Sequence, residues 1–286
     1  MITLSSDFGS PYPAAMKGVV LRRCDARLVD VSHGFPRQDV RTAAFWLREV
    51  LPYFPPAVHL VVVDPGVGTD RDALAVRAGE HALVGPDNGV LVPAARELAG
   101  TCQSGDGGNA TREPGSDEFE VFRVAHDDPE SATFHGRDVF APAAAEVHAA
   151  GVDAFDRRAR FEPASGYDGL SFPRPDVEPG LARGEVLVVD GFGNAITNVD
   201  GEWLEGRYGD AVQVNGRAAP VRRTYAAVDP GEALVTVGSH GNVELAVNRG
   251  RGDDAFGVSA GAEVRLEGDD AGSHNGHRAG DASGDK

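Results

Sequence analysis

The 286-residue sequence has two cysteines, two lysines and no long apolar run. Cys24 and Cys102 are far apart and lack metal-ligand spacing. That excludes a disulfide scaffold and a Cys-rich zinc site, and it makes the cytoplasm the expected compartment. No stretch approaches the roughly 18 apolar residues of a membrane span. Met1–Gly9 carries Asp7 and no basic segment leading into an apolar core, so no cleaved signal peptide is expected. Positive charge is scarce: 27 Lys and Arg stand against 44 Asp and Glu, a formal charge of −17. A nucleic-acid binder needs a basic surface, and anionic lipid equally repels so acidic a chain. Lys17 and Lys286 are the two lysines, and every other basic side chain apart from histidine is arginine. Codon bias of a GC-rich genome would favour Arg, Ala, Gly and Asp. The size of the negative charge points further, to a surface kept hydrated at molar salt.

What is present is globular, with 41% hydrophobic and 25% charged residues, and long enough for one large domain or two ordinary ones. Short β-type runs at Ile2–Ser5, Arg27–Ser32, Val58–Val63, Leu74–Arg77 and Ala82–Val84 alternate with helical patterns. Those lie at Ala14–Arg23, at Asp39–Leu51, and from the Gly85–Gly89 turn through Leu98. Val58–Val63 has the character of a buried parallel strand. A strand at Phe119–Val124 and a helix at Arg137–Ala150 follow. This predicts an α/β domain, Rossmann-like, with a mostly parallel sheet flanked by helices, over residues 1–160. Residues 101–118 read as an acidic surface loop. The proline-rich stretch 161–182 reads as a linker. Short β runs at Glu185–Val189, Ala211–Asn215, Val221–Tyr225, Ala233–Val237, Val243–Val247 and Ala262–Leu266 predict a small all-β barrel or sandwich over 183–266. Residues 267–286 read as a disordered acidic tail, its His274 and His277 as solvated side chains.

In open α/β sheets, ligands bind beyond the carboxyl ends of the strands. Asp7 follows the first strand, Asp64 follows Val58–Val63, and His135 lies between a strand and a helix. Each has a plain structural alternative: a turn former for Asp7, a tight Asp-Pro-Gly turn for Asp64, a satisfied core histidine for His135. Arg71 lies seven residues after Asp64, and Arg137 and Asp138 follow His135. Carboxylate, imidazole and guanidinium groups meeting in one crevice would form a general-base apparatus. Gly66-Val67-Gly68 lacks a P-loop ending and the spacing of a dinucleotide fingerprint. Motifs for zinc and for a serine nucleophile elbow are missing.

Eight strings occur in order: Ser6-Asp7-Phe8-Gly9, Met16-Lys17-Gly18, Val29-Asp30-Val31-Ser32-His33, Pro36-Arg37-Gln38-Asp39-Val40, Val63-Asp64-Pro65-Gly66-Val67-Gly68-Thr69, Gly85-Pro86-Asp87-Asn88-Gly89, Thr133-Phe134-His135-Gly136-Arg137-Asp138 and Gly193-Asn194-Ala195-Ile196-Thr197-Asn198. Together, from residue 2 to about 266, the chain closely resembles the S-adenosyl-L-methionine (SAM) hydroxide adenosyltransferases. These are adenosine-forming SAM hydrolases related to the fluorinase and chlorinase enzymes. The resemblance implies attack of water or hydroxide on the ribose C5′, with methionine leaving and adenosine as the other product. SAM is then the substrate, and neither cofactor nor metal is implied. The implied assembly is a homotrimer with SAM between the N-terminal domain of one subunit and the C-terminal domain of the next.

The family's catalytic set maps onto Asp64, Arg71 and His135. Halogenating relatives carry Tyr where Asp64 stands, and a carboxylate beside a halide would repel it. The resemblance further implies Asp7 as acceptor for the ribose hydroxyls, and Phe134 and Tyr225 as aromatic walls with core packing as the alternative. It also implies Asp190, Phe192, Asn194, Ser239, Glu244 and Val247 as contacts to adenine and methionine. Glu244 could equally be a solvated strand residue. One departure is a shortening between Gly9 and Met16, where the family usually has an Asp that in halogenating relatives helps to hold the methionine end. Besides hydrolysis, the alternatives are a SAM-dependent halogenase and a non-catalytic SAM- or nucleoside-binding module.

Overall fold

A computed structural model describes residues 1–101, 119–126, 131 and 133–268. Cys102, most of the expected acidic loop and the tail beyond residue 268 lie outside the described residues. The chain divides into two units, Met1–Ser171 and Phe172 onward.

The first unit is built on a seven-stranded sheet ordered β2-β1-β3-β5-β4-β6-β7. Its strands are β1 (Ile2–Ser6), β2 (Leu28–Ser32), β3 (Val58–Val62), β4 (Ala73–Ala78), β5 (His81–Pro86), β6 (Glu120–Val124) and β7 (Phe161–Pro163). The β2-β1-β3-β5 block pairs in parallel, and β4 then turns the sheet antiparallel. Because β6 pairs antiparallel to β4, it regains the direction of β5, and only β4 and β7 oppose it. Helices α1 (Tyr12–Leu21), α2 (Val40–Val50), α3 (Val92–Thr101) and α4 (Ala141–Ala150) complete the unit. Asp39 caps α2 by accepting from the Thr42 backbone N–H at 2.9 Å and from its hydroxyl at 2.6 Å. The helix expected from Arg137 instead opens with a wide π turn at Gly136–Phe140, and α4 follows with Pro142 in its first turn. Such turns recur at functional sites. Ile2, Leu4, Leu60, Val84 and Phe155 pack in the core of this unit.

A polar chain crosses three strands of this sheet, β1, β3 and β5. Thr3 Oγ1 and His59 Nδ1 are 2.8 Å apart, and His59 Nε2 lies 2.9 Å from His81 Nδ1. Burial depresses the His59 pKa to about 3, and neighbouring His81 adds to the effect.

The second unit is an eight-stranded antiparallel sheet. It comprises β8 (Asp176–Glu178), β9 (Leu181–Val189), β10 (Ala195–Asp200), β11 (Ala211–Val214), β12 (Arg217–Pro220), β13 (Ala233–Val237), β14 (Asn242–Val247) and β15 (Glu263–Glu267). The order runs β12-β11-β15-β9-β10-β14-β13, with β8 on β9. A bridge between Val221 and Val235 joins its two ends into a near-barrel. The short helix α5 (Gly252–Phe256) and 3-10 turns at Gly201–Leu204 and Tyr225–Ala227 interrupt the all-β pattern.

Several sequence expectations are corrected. Residues 161–182 are no plain linker. Pro163 is compatible with the edge position of β7, and β8 and the start of β9 take Asp176–Glu178 and Leu181–Ala182, while residues 164–175 carry no strand or helix and contain the division between the units. The strand expected at Val221–Tyr225 lies earlier, at β12, because Asn215 (φ 50) and Gly216 (φ 82) form a tight hairpin turn after β11. Glu267, assigned to the tail, ends β15. No helix among the described residues is long and apolar enough to cross a membrane.

Candidate active site

Parallel pairing of β1 with β3 sets Ser6 opposite Val62. The residues just beyond, Asp7 and Asp64, therefore emerge together at the carboxyl ends of these two strands. Both line a cavity of about 440 Å³, with Gln38, Tyr12, Phe134 and His135 among the other walls. Phe134 packs edge-on against Phe8 and Tyr12, with centroids 6.0 and 5.6 Å away. His135 is 8% exposed and immediately precedes the π turn. Gly136 is closely packed there, since a Cβ would lie 2.9 Å from Met16 Sδ and 3.2 Å from Phe134 Cε2.

Asp7 is held by the Gln38 backbone N–H, which donates to its Oδ2 at 2.6 Å. Behind it the quoted strings converge. Lys17 Nζ donates to Asp30 Oδ2 at 2.6 Å, Asp30 Oδ1 lies 2.9 Å from His33 Nε2, and His33 Nδ1 lies 2.7 Å from Ser6 Oγ. Burial works against the Asp30 charge, but the bonds from Lys17 and His33 outweigh it and lower its pKa. The Gly9 N–H donates to the His33 carbonyl at 2.8 Å, which anchors the loop after β1.

Asp64 has a side chain only 5% exposed. Burial raises its pKa above the ordinary carboxylate value, against the Gly66 N–H, Arg71 and His135, all of which favour the charged form. Its Oδ1 accepts from Gly66 N at 2.9 Å and lies 3.5 Å from Arg71 Nε. Arg71, expected in the catalytic set, does not line the cavity but lies against Asp64. Its Nη1 donates to the Asp87 carbonyl at 2.8 Å and lies 3.8 Å from Asp168 Oδ2. Gly66 makes room for it, since a Cβ there would meet Arg71 Nε at 2.5 Å. Asn88 Nδ2 donates to the carbonyl of Val63 at 2.9 Å, tying down the backbone just before Asp64. Gly85–Gly89 is thus a scaffold for the Asp64 loop as well as a turn.

In the second unit, a pocket of about 760 Å³ is lined by all seven residues expected to bind there: Asp190, Phe192, Asn194, Tyr225, Ser239, Glu244 and Val247. Asp190 Oδ1 accepts from the backbone N–H groups of Phe192 and Asn194, both at 2.8 Å, and its Oδ2 from Asn194 Nδ2 at 3.0 Å. The Tyr225 hydroxyl donates to Glu244 Oε1 at 2.5 Å. Glu244 is buried, not a solvated strand residue. Burial and nearby Asp190 raise its pKa, against the Tyr225 bond and His240. Burial, then the bond to Glu244, raises the Tyr225 pKa. Phe192, by contrast, is 80% exposed.

Comparison with known proteins supplies the deciding observation. The profile of the SAM hydroxide adenosyltransferase N-terminal domain matches residues 2–156, and that of the C-terminal domain matches residues 184–265. The chain belongs to the SAM hydroxide adenosyltransferase family. An (R)-S-adenosyl-L-methionine hydrolase of Salinispora tropica is 40% identical, over 93% of this chain and 97% of the relative. One of the same name from Thermus thermophilus is 41% identical, over 91% and 97%. The crystal structure of an uncharacterized conserved protein from Thermotoga maritima superposes with a TM-score of 0.74 at 32% identity, covering 93% of this chain and 99% of that one. In this adenosyltransferase-family chain, the sequence strings quoted above mark both pockets. The supporting roles of Gln38, Asp87 and Asn88 do not show in the sequence. The strings contain them, but a backbone donor or a carbonyl clamp leaves no residue-type signature.

Proposed function

We infer that this chain hydrolyses S-adenosyl-L-methionine to adenosine and L-methionine. The observation that carries the reading is the buried Asp64 carboxylate, backed by Arg71 and sharing a cavity with His135 and Asp7. Water has a pKa of roughly 15.7 and is a poor nucleophile without a base. Asp64 and His135 orient a water and take its proton as its oxygen attacks C5′. The C5′–S bond breaks, its electron pair goes to sulfur, and the neutral thioether of methionine departs without a general acid. Burial of Asp64 strengthens it as a base, while Arg71 holds it in place and favours hydroxide electrostatically. Asp7 accepts from the ribose diol through its free oxygen and Phe134 walls the nucleoside. Asp190, Phe192, Asn194, Tyr225, Ser239, Glu244 and Val247 take the adenine and methionine ends. Since relatives are named for the (R) sulfonium epimer, we assign that epimer as substrate here.

The functional unit in this reading is a homotrimer, with each site made by the N-terminal unit of one subunit and the C-terminal unit of the next. In support, Tyr12 and Phe192 leave apolar surface open at their respective pockets. The −17 charge supports function in concentrated salt. The test incubates pure protein with each SAM epimer in molar KCl, separates the products by chromatography and repeats the reaction in ¹⁸O-water. Adenosine labelled at its 5′ oxygen, from a trimer by light scattering, is expected. A 5′-halo-adenosine formed only with halide, or binding without turnover, would overturn hydrolysis.

A further inference from the structure

Gln38 has φ 62, in the left-handed region that residues other than glycine, asparagine and aspartate seldom enter. It lies in the loop between β2 and α2. Its N–H donates to Asp7 Oδ2 at 2.6 Å, and its carbonyl accepts from Val40 N at 3.1 Å. Both are main-chain contacts. A glycine would make them without strain, so the turn alone gives no reason for a glutamine. Yet Gln38 is exposed, lines the 440 Å³ cavity beside Asp7, and bonds no described residue through its carboxamide. A strained non-glycine backbone beside a ligand cavity points to a use for the side chain. Asp7 bears on that use. With Oδ2 engaged by Gln38 N–H, Oδ1 is the carboxylate oxygen left uncommitted. A ribose presents two adjacent hydroxyls, each both donor and acceptor.

We propose that Gln38 is a second ribose-reading residue. Its carboxamide bonds one hydroxyl of the cis-diol while Asp7 takes the other, making the enzyme selective for ribo- over deoxyribonucleoside sulfonium substrates. The left-handed turn serves both groups at once, because one residue supplies the backbone donor that fixes Asp7 and the side chain that completes the pair. The proposal rests on the hydrolase reading above.

The test compares kcat/KM for SAM and its 2′-deoxy and 3′-deoxy analogues in wild type and Gln38→Gly. Glycine can keep the left-handed turn and the N–H to Asp7 while removing the side chain with its carboxamide. Wild type should disfavour both analogues. Gln38→Gly should lose about tenfold on SAM and nothing on the analogue lacking the hydroxyl that Gln38 reads. An equal loss on all three substrates, or no loss on any, would overturn the proposal. So would a wild type that treats both analogues like SAM, a result that needs no variant. If wild type releases no adenosine from SAM, the hydrolase reading itself fails. Calorimetric binding of adenosine and its two deoxy forms to both proteins then decides Gln38 by the same pattern.

Discussion

The two pockets are furnished differently. In the first unit the carboxylates are held mainly from the main chain, Asp7 by Gln38 N–H and Asp64 by Gly66 N–H. In the second, Asp190 also has main-chain donors, from Phe192 and Asn194, but side chains bond one another as well, Asn194 on Asp190 and Tyr225 on Glu244, next to an open aromatic, Phe192. Backbone donors set at strand ends position a group rigidly, which suits a base that must meet a reacting atom. Mutually bonded side chains offer donors and acceptors to a ligand. On the proposed reading, the first unit supplies the reacting groups and the second the recognition of adenine and methionine.

That division can be broken by kinetics. Asp64→Asn should lower kcat by roughly 10²–10⁴-fold with little change in KM. Steady-state assays that found a raised KM and an intact kcat would move Asp64 to the recognising side. Tyr225→Phe removes the donor to a buried carboxylate and should raise KM about tenfold with kcat largely kept. A collapse of kcat would place chemistry in the second unit.

Acid should act with opposite signs on two buried groups, His59 in the first unit and Glu244 in the second. His59 has its pKa depressed to about 3, so below about 6.5 the unfolded chain binds a proton that the folded chain refuses. Its contribution is full above pH 6.5 and is lost as pH falls towards 3, by about 1.4 kcal/mol per unit. Glu244 has a raised pKa, so its contribution instead grows as pH falls through its folded value. Urea midpoints across pH 4–7 should fall less steeply for His59→Asn than for wild type, and Glu244→Gln should remove the opposing contribution. The smallest effect expected is that of salt, with midpoints rising steadily with KCl as the surface carboxylates are screened.

Much of the fold and of the candidate site is legible in the sequence. Asp7 and Asp64 stand out because a carboxylate directly after a β-type run must sit at a strand end. Ala233–Val237 has the same limits in sequence and structure because its run is apolar and bounded by turns. The β10 strand does not show, because Thr197 and Asn198 dilute its pattern, yet Thr197 is fully buried with its hydroxyl donating to the Val243 carbonyl at 2.8 Å. A polar residue satisfied by a neighbouring strand looks like a loop residue in sequence. His59 is hidden for the converse reason, being surrounded by valine and leucine. The standing of Arg71 behind Asp64, and the left-handed turn at Gln38, depend on distances and angles that residue identity does not encode.

The empty volume at Gly66 has a consequence for how this protein can vary. Any side chain there would displace the Arg71 guanidinium, and with it the cation that accompanies Asp64. In a random-mutagenesis screen for lost turnover, position 66 should score like an active-site residue although it has no functional group to contribute. The requirement at position 66 is one of volume and not of chemistry.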